Sequence, residues 1–273
     1  MTGLTYCLYA HKINRQILAW ELTVMTTFRV GQIVPSSNIT METEIPALLK
    51  AREMIAPERF TFHSSRMRLK HVTKNELAKM DGDSDRCALE LSDARVDVMG
   101  YACLVAIMSM GLGYHTKSSK RLEEVTKDNH AAAAVVTSAG ALIDGLHAMG
   151  AKKIAVVAPY MKPLTEMVVD YIRHEGFEVV DYRALEIQDN LDVAAHDPLN
   201  LPTIVAGMDT SQADVIVLSA CVQMPSLSAV SIVEAQTGKP VLTASVATAW
   251  SMLKALNLDT RVPGGGALLS GAY

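Results

Sequence analysis

The 273-residue chain has no tract of consecutive basic residues, and 25 Lys+Arg against 29 Asp+Glu leave a net charge of −4. Such a distribution offers no footprint for nucleic acid or an anionic membrane surface, so an anionic ligand has to be attracted locally. Cysteine is scarce. Four residues, Cys7, Cys87, Cys103 and Cys221, with no recognisable secretory leader, are read as free thiols in a reducing compartment, hence a cytoplasmic protein without a disulfide framework. An unbroken membrane-length apolar segment is also lacking. Of two uncharged runs, residues 98–115 are interrupted by Gly100, Ser109, Gly111 and Gly113, and 215–233 by Ser219, Gln223, Pro225, Ser226, Ser228 and Ser231. Each reads as a buried strand, a turn and a helix start, so no membrane association is expected. Residues 1–24 carry Lys12, Arg15 and Glu21 without an apolar core and are set aside as an N-terminal extension of unknown role.

Cofactor signatures are missing too. The eight histidines show no His-x-x-x-His spacing beside a carboxylate, so no metal site is read. Gly264-Gly265-Gly266 has no strand-to-helix context, and Gly111-Leu112-Gly113 lacks the third glycine of a dinucleotide fingerprint. No cofactor is expected. Arg66, Arg68, Lys70 and His71 form a short basic stretch that reads as a solvated strand or loop face.

What the chain does have is a composition of 49% apolar and 20% charged residues, ordinary for a soluble enzyme with one large α/β unit or two domains. Short β-branched runs alternate with longer helical stretches, which predicts parallel α/β architecture. Strands are expected at 29–34, 59–63, 96–100, 154–158, 178–181, 215–218 and 240–243. Helices are expected at 42–55, 74–95, 120–127, 131–149, 161–174, 201–208, 224–237 and 245–256. Gly150, Gly176 and Gly238 stand where glycine closes a helix.

The chain also repeats itself. Arg29-Val-Gly-Gln-Ile-Val-Pro35 resembles Ile154-Ala-Val-Val-Ala-Pro159, and Asp97-Val-Met-Gly-Tyr-Ala-Cys103 resembles Asp214-Val-Ile-Val-Leu-Ser-Ala-Cys221. Pro35 precedes Cys103 by 68 positions and Pro159 precedes Cys221 by 62. Two related α/β halves are therefore expected, each delivering a cysteine at the carboxyl end of a strand, where parallel sheets place ligand sites. A thiol at a helix N-terminus is expected to have a lowered pKa and to serve as a nucleophile. Taken singly, either cysteine reads as packing, since free Cys is among the most buried residue types. The matching Ala-Cys contexts reverse that preference for Cys103 and Cys221, while Cys87 reads as filler. Asn38, after the first strand, reads either as a helix cap or as a ligand contact. Tyr160, just after Pro159, and Asn190, in a loop after a predicted strand, have similar double readings. Ser138, within Thr137-Ser138-Ala139-Gly140, is either a ligand approach or a helix-packing notch.

The segments Gly31–Glu44 and His63–Arg68, the Tyr101-Ala-Cys103 and Ser219-Ala-Cys221 turns, and Ala158-Pro159-Tyr160 resemble maleate cis–trans isomerases of the aspartate/glutamate racemase superfamily. The resemblance runs from about Phe28 to the C-terminus. It implies two pseudo-symmetric α/β domains with parallel sheets flanked by helices and the active site in the cleft between them. The first domain would take residues 25–129 and 246–273, and the second 130–245. The resemblance places the nucleophile on Cys103, the second cysteine on Cys221 and the carboxylate-binding groups on Asn38, Tyr160 and Asn190, with Ser138, Val105 and Val222 as subsidiary positions. It implies cofactor-independent isomerisation of maleate to fumarate through a succinyl-cysteine intermediate in a homo-oligomer, dimer or tetramer. The alternatives are a racemase of an acidic amino acid, a malonate-type decarboxylase, and a non-enzymatic small-molecule binding module.

Overall fold

Among the described residues, eight strands lie parallel to their neighbours in two four-stranded sheets of the same order. The computed structural model describes residues 25–69 and 72–273. The extension 1–24 with Cys7, and Lys70 and His71 of the basic stretch, lie outside them. The first sheet has the order β2-β1-β3-β4, from β1 (Thr27–Pro35), β2 (Arg59–Met67), β3 (Val98–Tyr101) and β4 (Ala134–Thr137). The second has the order β6-β5-β7-β8, from β5 (Lys153–Ala158), β6 (Glu178–Ala184), β7 (Val215–Ser219) and β8 (Val241–Thr243). The repeated motifs thus occupy the same two inner strands of each sheet: β1 with β3, and β5 with β7.

Helices join and flank these strands. They are α1 (Met41–Arg52), α2 (Lys74–Asp93), α3 (Leu104–Ser109), α4 (Tyr114–Asp128), α5 (Ser138–Ala148), α6 (Lys162–His174), α7 (Asn190–Ala194), α8 (Leu201–Ala206), α9 (Leu227–Thr237) and α10 (Ala244–Ala255). With both faces covered, β3, β7 and β8 are buried throughout and are largely apolar, as parallel strands are, with Ser219 and Thr243 closing the last two. Edge strands β2 and β6 stay partly exposed and carry Arg, Ser, Asp and Tyr. Helix α10 packs back across β3 and against α1 and α5. Gly100 makes this approach possible, because a Cβ there would collide with Met252 Cε and lie 2.9 Å from Met41 Cε. Gly238, with φ of 66°, closes α9 in the left-handed region. Among the described residues no helix is long and apolar enough to cross a membrane.

Two differences from the sequence reading have clear causes. The expected helix 131–149 is β4 followed by α5. Ala131–Ala134 favours helix locally and no Gly or Pro separates the elements, but pairing with β3 draws Ala134–Thr137 into the sheet. The boundary drawn at 129/130 therefore falls before a strand that hydrogen-bonds into the first sheet. Helix 224–237 starts instead at Leu227, after Pro225 and Ser226.

Candidate active site

Because all strands of a sheet point the same way, the loops that follow them emerge along one edge. Asn38 follows β1, Cys103 follows β3, Tyr160 follows β5 and Cys221 follows β7. The two cysteine turns are pinned alike: the Ala102 amide donates to Ile33 O at 2.9 Å, and the Ala220 amide to Val157 O at 2.9 Å. The two sheet edges share one small cavity, lined by Pro35, Asn38, Leu69, Val72, Cys103, Val105, Tyr160, Asn190, Cys221, Val222 and Gln223. The structure thus brings together Cys103, Cys221, Asn38, Tyr160, Asn190, Val105 and Val222. Ser138 is not among the lining residues. It is fully buried as the first residue of α5, behind Thr137, whose Oγ1 accepts from the Gly140 amide at 3.0 Å.

The polar groups are held from both halves. Asn38 Oδ1 accepts from the Thr40 and Met41 amides at 3.1 and 3.0 Å, which caps α1 and leaves the Asn38 amide nitrogen for the cavity. The capping reading of this residue is met, and it leaves the nitrogen free of that role. Asn190 is the first residue of the short helix α7, not a loop position, and its Nδ2 donates to Ser37 Oγ across the cleft at 2.7 Å. The Tyr160 hydroxyl donates to Ala220 O at 3.0 Å. Burial, with the two thiols beside it, pushes its pKa well above the usual tyrosine range, so it stays a donor. None of the described lining residues is charged.

The thiols depart from expectation. Cys103 is the residue before α3 and adopts φ 88°, ψ 70°, a left-handed conformation that costs a non-glycine residue roughly 1–2 kcal/mol. Desolvation in the cavity pushes its pKa up to about 12, with Cys221 and Asp81 acting the same way and only the Ala106 amide opposing. The expected lowering by a helix N-terminus is overturned: α3 has six residues, and its amides do not outweigh burial. Burial likewise raises the Cys221 pKa, against the Tyr160 hydroxyl and the Gln223 and Met224 amides. Both shifts favour the neutral thiol.

The arylmalonate decarboxylase family matches residues 30–269. The chain is 73% identical over 246 residues to a maleate isomerase of Pseudomonas putida, covering 90% of this chain and 98% of that protein. The chain belongs to this family, among its maleate isomerases. The fold agrees with a cysteine-to-alanine form of maleate isomerase from Pseudomonas putida S16, crystallised with maleate, at a TM-score of 0.90 and 77% identity over 91% of this chain and 99% of that one. A cysteine-to-serine mutant of the Nocardia farcinica maleate cis–trans isomerase, carrying a covalently bound succinylcysteine intermediate, matches at a TM-score of 0.86 and 44% identity over 89% and 98%. Membership in the family fits the duplicated sheets and the shared cavity.

Two residues around this maleate-isomerase-like cavity escaped the sequence reading. Gln223 figured there only as a polar break in an apolar run, and its place two residues after Cys221 in the same turn was the available signal. Arg66, read as a solvated residue, donates through Nη1 to Ser36 O and Asn38 O at 3.1 Å each and pairs with Glu42. It braces the Asn38 loop. From α1, buried Glu44 crosses between the halves to accept the Ser226 and Leu227 amides at the start of α9, at 2.6 and 2.7 Å.

Proposed function

We propose that this protein converts maleate into fumarate through a succinyl-cysteine adduct on Cys103, with Cys221 as proton partner and no cofactor. The observation that carries the reading is the convergence of two cysteines, from corresponding turns of similar halves, on one uncharged cavity holding Asn38, Asn190 and Tyr160. A pure binding site for a dianion has no use for facing thiols. The maleate and the succinylcysteine in related structures support the same chemistry.

In maleate the central bond is double and does not turn. As the Cys103 sulfur bonds to one alkene carbon it gives up its proton, and the π electrons pass into the adjacent carboxylate as an enediolate. Cys221 delivers a proton to the second carbon and is restored by the proton that Cys103 released. The central bond is now single and rotates. Reversal follows: the proton that restored Cys221 passes to the Cys103 sulfur as the C–S bond breaks, Cys221 takes a proton from the carbon in its place, and fumarate leaves. One S–H and one C=C become one C–S and one C–H and then return, so neither oxidant nor reductant is consumed.

The carboxylates are held by Asn38 Nδ2, Asn190 Nδ2 and the Tyr160 hydroxyl, whose one proton turns from Ala220 O to the substrate, with the backbone amides of Val105 and Val222. Neutral donors already in place act where charge develops and need not reorganise during the reaction. The division into halves that strand pairing supports runs the first through Thr137 and resumes it with α10. The location is cytoplasmic, in keeping with three free cysteines among the described residues. The assembly is a homo-oligomer, dimer or tetramer, which light scattering tests.

Incubation with maleate followed by proton NMR tests the activity directly. Fumarate is the expected product. Carbon dioxide from a malonate, or racemised aspartate or glutamate, with no fumarate formed, would replace isomerisation by those chemistries, and bound but unconverted maleate would leave a binding module.

A further inference from the structure

Gln223 lies in the turn that carries Cys221, is 3% exposed, and hydrogen-bonds to both halves of the molecule. Its Nε2 donates to Ser37 O at 2.9 Å and to Asn190 O at 2.8 Å. Its Oε1 accepts from the Ile39 amide at 3.0 Å, and its backbone carbonyl accepts from Thr40 Oγ1 at 2.7 Å. A primary amide has two N–H donors, and here both are used on carbonyl oxygens from opposite sides of the cleft. The contacts also settle which way the amide faces, because the reverse orientation would set its oxygen against two carbonyls and its nitrogen against an N–H group.

What Gln223 grips is the backbone on either side of Asn38 and the backbone of Asn190. Ser37 and Ile39 are the immediate neighbours of Asn38, whose own Oδ1 is committed to the cap of α1. With backbone and carbonyl oxygen both fixed, the direction of the Asn38 NH₂ group is fixed as well. Asn190 is tied at its carbonyl to Gln223 and at its side chain to Ser37. We infer that Gln223 is a positioning residue, one that spans the two halves and sets the spacing of Asn38 and Asn190 to that of the two carboxylates of a four-carbon cis-diacid. The inference rests on the reading of those asparagines as carboxylate donors. Gln223 acts through them, and its side chain is not itself given to the reacting atoms.

The test separates this role from a contribution to folding alone. In a Cys103→Ala background, where no turnover occurs, maleate affinity is measured by calorimetry well below the melting temperature of each variant. Gln223→Met, which keeps length and volume but removes every polar contact of the side chain, is expected to weaken maleate binding about tenfold or more. In a Cys103→Ala Asn190→Ala background the same substitution is expected to weaken it less than about threefold, because one of the donors it positions is already gone. Should Gln223→Met fail to fold, Gln223→Glu is read in the same way, since it keeps the shape and the acceptor for Ile39 but loses both donors. Unchanged affinity in a folded Gln223 variant, or an equal loss in both backgrounds, overturns the positioning role while leaving maleate as the ligand. Failure of the folded Cys103→Ala protein to bind maleate at all overturns the substrate reading and the role of Gln223 with it.

Discussion

The thiol of Cys103 offers a prediction that runs against the usual picture of an activated cysteine. Its pKa is raised from 9.0 to about 12, chiefly by desolvation. An ordinary thiol near 9 is about one-tenth thiolate at pH 8, whereas one near 12 is about one part in ten thousand. Alkylation of Cys103 by iodoacetamide in the unliganded protein is therefore expected to be about a thousandfold slower at pH 8 than that of an exposed cysteine, before any effect of access. Its rate should climb about tenfold per pH increment to pH 10 without levelling. Peptide mass spectrometry after timed labelling between pH 6 and 10 follows Cys103 and Cys221 separately. The sign for stability follows from the same shift: a folded-state pKa above the unfolded value contributes stability that is complete below about pH 9 and is lost as pH rises towards 12. A labelling rate that levels off below pH 8 would refute the reasoning. It would mean that the amides at the start of α3 outweigh burial and that the cysteine rests as a thiolate.

Other outcomes follow from the same geometry. Cys103→Ala should abolish fumarate formation while the fold survives, and Cys221→Ala should cripple turnover yet still show a maleate-dependent mass increase at Cys103; loss of that adduct would reverse the two roles. Tyr160→Phe and Asn190→Ala should each lower kcat/KM about tenfold to a hundredfold, as expected for loss of a hydrogen bond worth about 1.5–3 kcal/mol to a charged group. Asn38→Asp should lower it as much as Asn38→Ala while keeping the α1 cap and hence the melting temperature, and equal melting losses in both variants would remove the assignment of the amide nitrogen to ligand. Cys103→Gly should melt about 1–4 °C above Cys103→Ala, because glycine takes φ 88° without steric cost, and calorimetry would show the reverse if the backbone there were relaxed. Arg66→Ala should raise KM about twofold to fivefold through the loosened Asn38 loop, a modest effect for a half-exposed ion pair, and an unchanged KM would return Arg66 to the solvated surface.

Much of the molecule is legible from the chain alone, because its signals are local or repeated. Alternation of β-branched runs and helical stretches dictates parallel α/β sheets, and the recurrence of a strand ending in Ala-Cys marks Cys103 and Cys221 before any coordinates are known. Asn38 and Tyr160 follow, since each occupies the turn after the other inner strand of its half. What lies beyond the sequence depends on contacts between segments far apart in it. The run Ala131–Ala134 favours helix and masks the start of β4, whose Val135, Val136 and Thr137 suit a strand, and pairing with β3 decides between them. Ser138 stands in a polar interruption of the sequence, and only the fold shows it fully buried at the start of α5 and outside the cavity lining. The cysteine pKa depends on the enclosure of the cavity by both halves, and no local motif reports how much water that excludes. Gln223 is the clearest case: its three side-chain partners, Ser37, Ile39 and Asn190, lie up to 186 residues away, and only the folded chain brings their carbonyl and amide groups around one buried side chain.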